Sequence, residues 1–149
     1  PRSTLFPYTT LFRSVAVDVV SDPTPQLLRL ANVTHLATHV EALLGPEPPT
    51  ALELVARLHP TAAVGGTPRA DALEMITRLE AAPRGRYAGP VGWMDAKGDG
   101  EFAIALRCAQ LSGQTARLWA GAGIVGDSDP DAEVAETAAK FDAVLSALL

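Results

Sequence analysis

The residues best suited to chemistry lie near the C-terminal end. Gly121-Ala122-Gly123-Ile124-Val125 is followed by Asp129-Pro130-Asp131-Ala132-Glu133-Val134-Ala135-Glu136-Thr137 and then Lys140. Glycines let a backbone approach a ligand closely and aim its N–H groups at it. Glu133 and Glu136 are three apart, and Glu136 and Lys140 four apart, so a helix would project all three to one side. Carboxylate oxygens suit a hard divalent cation, whereas the lysine and free amides suit an anion. The layout fits a carboxylate ligand bridged by a metal. The same spacing also fits acids that merely face solvent at a helix N-terminus, and a Glu136–Lys140 pair worth roughly a few tenths of a kcal/mol.

The elements that must position these groups are legible in outline. Val15–Val20 reads as a strand or the tail of a helix, Asp22-Pro23-Thr24-Pro25 as a turn, and Gln26–Leu44 as one or two strands. Thr50 caps a helix over Ala51–Leu58, which His59-Pro60 ends, and Thr67-Pro68 opens another that runs to about Ala81. Pro83-Arg84-Gly85-Arg86 is a loop. Tyr87–Asp95, Glu101–Gln110 and Ala116–Ala122 read as three antiparallel strands, with turns at Lys97-Gly98-Asp99-Gly100 and Leu111-Ser112-Gly113. Ser128 or Asp129 caps a last helix to about Ala147, with Val134, Ala138, Phe141, Val144 and Leu148 facing inward.

Composition removes several classes. The chain has 149 residues, 48% of them hydrophobic, enough for one domain with a packed core. A net charge of −5 argues against non-specific nucleic-acid binding and requires local positive partners for any anion. Cys108 is the single cysteine, so no internal disulfide forms, and the three histidines make no zinc pattern. No apolar run is long enough to span a bilayer, and a cytoplasmic setting is expected.

Several ordered motifs carry a resemblance. They are Arg29-Leu30-Ala31-Asn32-Val33-Thr34-His35-Leu36, His59-Pro60-Thr61-Ala62-Ala63-Val64-Gly65-Gly66, Arg86-Tyr87-Ala88-Gly89-Pro90-Val91-Gly92-Trp93-Met94-Asp95, Gly100-Glu101-Phe102-Ala103-Ile104-Ala105-Leu106-Arg107 and the Gly121–Lys140 segment. From about Leu27 to Leu149 the chain resembles the C-terminal part of the chorismate-utilising enzymes, most closely their isochorismate-forming branch. The resemblance implies an α+β fold, an antiparallel sheet with packed helices. It also implies an isomerase that converts chorismate to isochorismate with Mg2+, in a menaquinone or siderophore pathway.

Residue by residue, the resemblance makes Glu136 a direct magnesium ligand and Glu133 a nearby acid that binds directly or through water. Lys140 contacts a substrate carboxylate, Arg107 clamps the enolpyruvyl carboxylate, and Tyr87 donates to the same group. The amides of Gly121, Ala122 and Gly123 face a carboxylate, and His35 lies near the ring carboxylate. His59 falls beside the reacting end of the site. Ala63 stands where relatives that use ammonia tend to carry threonine; a hydroxyl can orient an amine nucleophile and a methyl cannot.

Pro1–Ser14 reads as a non-native, adapter-like segment, which leaves 15–149 as a truncated C-terminal portion of a chorismate-binding domain. The family's general base, general acid and one magnesium-binding glutamate match no position in this chain. The expected partners are therefore chorismate and the missing N-terminal half, with no nucleic acid and no membrane, and the chain alone is expected to be inactive. Two rival readings stand beside this one. One is an anthranilate, aminodeoxychorismate or salicylate synthase component of the same family, and the other is a non-catalytic anion-binding module.

Overall fold

The computed structural model describes residues 12–29 and 34–148, with the backbone alone for Thr34 and His35. Helices and short antiparallel ribbons alternate along it, an α+β arrangement. Two compact units divide the chain: residues up to Leu58 together with Met94–Gly100, and His59–Trp93 together with Glu101–Leu149.

In the first unit, β1 (Asp18–Ser21) pairs antiparallel with β4 (Val40–Leu43), and β2 (Gln26–Arg29) with β3 (Thr34–Ala37). Val15–Val20 thus contributes a strand, and the stretch expected to hold one or two strands holds three. The Asp22–Pro25 turn lets the chain leave one ribbon and begin the other. Asp22 holds that junction: its N–H donates to the His39 carbonyl at 3.0 Å, and its carboxylate accepts the His39 N–H at 3.2 Å.

Helix α1 (Ala51–Leu58) starts at a reciprocal capping box. The Thr50 N–H donates to the Glu53 carboxylate at 2.8 Å, and the Glu53 N–H donates to Thr50 Oγ1 at 3.3 Å. The Thr50 N–H foremost, and then the Thr50 hydroxyl, which donates to the same carboxylate at 2.8 Å, hold the Glu53 carboxyl below the ordinary carboxylate range. The Ala51 N–H, another donor without a partner inside the helix, finds the Gly98 carbonyl at 2.8 Å.

The second unit opens with α2 (Ala62–Gly65), a single turn that periodicity does not reveal, and α3 (Arg69–Leu79). Strand β5 (Pro90–Met94) pairs with β6 (Gly100–Ile104), and β7 (Cys108–Ser112) with β8 (Thr115–Trp119). The single strand expected over Glu101–Gln110 is therefore two. The break has a backbone cause: the Leu106 N–H turns back to the Ile104 carbonyl at 2.8 Å, and Arg107 adopts φ 47°. Among the described residues the strands form four two-stranded ribbons, where one sheet was expected.

Helix α4 (Pro130–Leu145) packs on β8. One neighbour covers only one stripe of a helix, so the expected inward face is partly wrong. Phe141 and Val144 are half-buried, whereas Val134 is 69% exposed and Ala138 and Leu148 also face outward. Apolar burial is thin throughout: among the described residues, the buried apolar side chains are Val19 and Ala88, while Leu43, Leu79, Val91 and Trp93 are more than half exposed. No described helix is long and apolar enough to cross a membrane.

Candidate functional site

The second unit brings the chemical groups together through three local devices. The first is the start of α4. Asp129 caps it, its carboxylate accepting the Ala132 N–H at 2.9 Å, and Pro130 takes the first helical position, where its missing N–H costs nothing. Just before the cap the chain folds back on itself: the Ser128 N–H donates to the Val125 carbonyl at 3.0 Å, and the Val125 N–H donates to Ser128 Oγ at 3.1 Å. The Ser128 hydroxyl in turn donates to Glu133 Oε1 at 2.6 Å.

The second device ties α4 to the glycine bend after β8. Lys140 Nζ donates to the Gly121 carbonyl at 2.9 Å and to Glu136 Oε1 at 2.5 Å. The side chains of Lys140 and Glu136 are 23% and 56% exposed, so water screens the pair and its contribution to stability is small. Its effect is on ionisation. The Lys140 hydrogen bond, then the Lys140 charge, and last the Arg107 charge hold the Glu136 carboxyl below the ordinary range, against a little desolvation. Glu136 is a carboxylate across the neutral range.

The third device is a pair of left-handed residues, Ala88 (φ 61°) and Arg107 (φ 47°), one on each segment of a short backbone pairing. The Ala88 N–H donates to the Ala105 carbonyl at 2.8 Å, and the Ala105 N–H donates to the Gly89 carbonyl at 2.8 Å. Tyr87 directly precedes this pairing on one segment and Arg107 follows it by two residues on the other. Tyr87 then reaches Gly121, where an added methyl would lie 2.6 Å from the Tyr87 hydroxyl oxygen. Burial raises the Tyr87 phenol above its ordinary value, the nearby Arg84 charge partly opposing, so the hydroxyl stays a donor at neutral pH. Tyr87, Gly121, Lys140 and Glu136 form a continuous chain of contacts, with Arg107 near enough to act on Glu136.

A left-handed backbone costs a non-glycine residue about 1 kcal/mol or more, a cost retained at functional positions when the surroundings enforce it. R107A and R107G both delete the guanidinium, and only glycine relieves the backbone. We expect R107G to be more stable than R107A by about 1 kcal/mol in urea denaturation. Equal midpoints would show that the position is not strained.

The remaining expected residues divide. Ala63 lies on α2 and is exposed; its neighbour Val64 offers its carbonyl to Arg84 NH1 at 2.7 Å. Ala122 is half-buried, and an added methyl at Gly123 would meet nothing within 4 Å. Both sit in the bend beside Gly121. His35 belongs to β3 of the first unit, paired with Leu28. His59 keeps a buried Nδ1 that has no hydrogen-bond partner among the described residues, and burial followed by the Arg69 charge lowers its pKa. Glu133 and Glu136 stand on one side of α4, one with Ser128 and the other with Lys140. Among the described residues no three His, Cys, Asp or Glu side chains gather at a metal-sized point.

Two contributors escaped the sequence reading. Ser128 appeared only as a possible cap, and Arg84 only as part of a loop. The Glu80–Arg84 spacing of four was the available signal for the second.

Comparison with known proteins gives a consistent result. A family model described as chorismate binding enzyme matches residues 9–149. A Mycobacterium tuberculosis protein assigned as isochorismate synthase MenF is 48% identical over 133 residues, which are 88% of this chain and 36% of that protein. The salicylate biosynthesis isochorismate synthase of Pseudomonas aeruginosa is 48% identical over 124 residues, 83% of this chain and 26% of its own length. A solved structure from Bacillus anthracis, assigned as the 2,3-dihydroxybenzoate-specific isochorismate synthase DhbC, superposes with a TM-score of 0.90 at 39% identity, covering 94% of this chain and 37% of that one. The chain thus spans about a third of the length of the relatives it matches.

Proposed function

Because the chain belongs to the chorismate-binding enzyme family, we propose that it forms the carboxylate-gripping part of an isochorismate synthase, an isomerase acting on chorismate. The observation that carries this reading is the meeting of Lys140 and Tyr87 at the Gly121 bend, with Glu136 bonded to Lys140 and Arg107 close enough to act on Glu136. Lys140 and Arg107 supply the local positive charge that a dianion needs on a chain of net charge −5. Tyr87 donates a neutral hydroxyl, and the 121–123 amides add donors without adding charge. Holding both ends of a small dianion fixes which ring face is presented, and that orientation is a large part of such catalysis.

The donor set fits magnesium: Glu136 and Glu133 are hard oxygen donors one turn apart, and the ion usually takes one or two protein carboxylates and keeps several waters. When bound it would place positive charge against the substrate carboxylate and polarise it. By the resemblance the residues of this chain bind and orient, and the family's groups that take a proton from water and give one to the leaving hydroxyl match no position in it. Ala63, with no hydroxyl, favours water over ammonia as the nucleophile.

The test uses two samples with chorismate and magnesium, and product is identified by chromatography. The chain alone is expected to give no isochorismate. Fused in place of the equivalent region of the Pseudomonas aeruginosa relative, it is expected to give isochorismate, with no aminated product when ammonia is added. Turnover by the chain alone would overturn the division of labour, and an aminated product would support the amine-using branch instead. A folded fusion that neither binds nor converts chorismate would leave the anion-binding module as the better reading.

A further inference from the structure

Arg84 ties together three pieces of the second unit that the candidate site needs, although it lies outside that site. Its Nε donates to both carboxylate oxygens of Glu80, at 3.0 and 2.9 Å, and its NH2 donates to Glu80 Oε1 at 2.5 Å. Its NH1 donates to the Val64 carbonyl at 2.7 Å. The guanidinium carbon stands 5.7 Å from the centre of the Tyr87 ring, within range of a cation–π contact. The Tyr87 N–H closes the loop on the Arg84 carbonyl at 2.9 Å.

Each contact answers a local need. Glu80 is the residue that ends α3, and its exposed carboxylate would otherwise be free to roam. Helix α2 is one turn long, so its terminal carbonyls lack partners inside it, and Val64 presents one of them. Tyr87 has no strand partner of its own, since β5 begins at Pro90. A planar guanidinium satisfies all three at once: its N–H groups reach both Glu80 and Val64 while its charge stands over the ring. Lysine, a single point charge, cannot do this.

Resting on the chorismate reading, we propose that Arg84 is a positioning residue: it locks α2, and with it Ala63, to the Tyr87 ring, so that the Tyr87 hydroxyl is held against the Gly121 bend where the substrate carboxylate is gripped. Arg84 touches no substrate itself. It acts through Tyr87, whose ring it ties to the carbonyl end of α2.

Two readouts test this on the 149-residue chain. The first needs no ligand. Tyr8→Phe leaves Tyr87 as the single phenol, whose ionisation is then followed by ultraviolet absorption in alkali. Arg84→Met keeps the bulk but removes the cation and leaves the Glu80 charge in place, so Tyr87 should titrate higher than in the parent, while Arg84→Lys, a charge without the planar fork, should return it only in part. No change, or a fall toward the ordinary phenol value, would overturn the lock. The second readout is chorismate affinity. Arg84→Met should weaken it about tenfold, and Tyr87→Phe with Arg84→Met should be no worse than Tyr87→Phe alone. Full additivity would show that Arg84 does not act through Tyr87. If the parent itself fails to bind chorismate while the titration shifts as described, the lock stands and the substrate assignment falls.

Discussion

Lys140→Met is expected to weaken chorismate binding about 30-fold or more, because a charge-assisted hydrogen bond to a carboxylate contributes about 1.5–3 kcal/mol. The ammonium holds two groups at once, the Gly121 carbonyl and Glu136 Oε1. Methionine keeps the length and loses both contacts. A second consequence has a definite sign. With Lys140 present, Glu136 titrates below the ordinary carboxylate range, so the pair is intact above that range and is lost as pH falls through the depressed value. In Lys140→Met the Glu136 carboxyl should return upward and take its proton at a higher pH, which carboxyl-carbon NMR would register. An unshifted Glu136, or unchanged chorismate affinity, would remove Lys140 from the site.

Gly92→Ala is the substitution expected to damage the fold most. A methyl at Gly92 would lie 2.0 Å from the Glu101 carbonyl oxygen and 2.7 Å from Phe102 Cα. Both obstacles are backbone of the paired strand β6, so no side-chain rotation relieves them. Forcing the ribbon open should cost about 3 kcal/mol or more, the upper end for overpacking. The loss should propagate to the Ala88–Ala105 crossing, and so to Tyr87 and Arg107, because the same two segments form both. Urea denaturation with tryptophan emission from Trp93, the residue beside the substitution, measures it. A midpoint within experimental error of the parent would show that the ribbon is not closely paired there.

What the sequence made legible follows from how local each cause is. Asp129, Pro130 and the 133–136–140 spacing are written in adjacent residues, so the start of α4 and its chemical face were readable before any coordinates. The Thr50 cap was readable for the same reason, and its reciprocal bond to Glu53 is added by the structure. The break at Ala105–Arg107 was not, because it depends on a left-handed backbone enforced from another segment, by Ala88 and Gly89. An apolar run ending in arginine gives no sign of that. The short helix α2 escaped because four residues cannot show a helical period. Arg84 escaped because its three partners are distributed over residues 64 to 87. The inward face expected for α4 failed at Val134 because one packed neighbour, β8, covers only the stripe near Phe141 and Val144.

The site's residues were named in the sequence reading from the family motif as well as from spacing; of these, Lys140, Glu136, Gly121 and Tyr87 form one chain of contacts, whereas His35 lies on β3 of the first unit and Ala63 on α2. Spacing alone could not choose between solvated acids and a ligand site. The Lys140 bridge to Gly121 ties the bend to the helix, and ligand binding is the measurement that makes the choice.

The most direct measurement is a chorismate titration of the isotopically labelled chain, with magnesium present, followed through its backbone amides and arginine side-chain N–H groups. The account predicts saturable shifts at Gly121, Ala122 and Gly123 and at the Arg107 guanidinium, diminished together in Lys140→Met. Shifts confined to other residues, or shifts at 121–123 that survive loss of both Lys140 and Arg107, would contradict it.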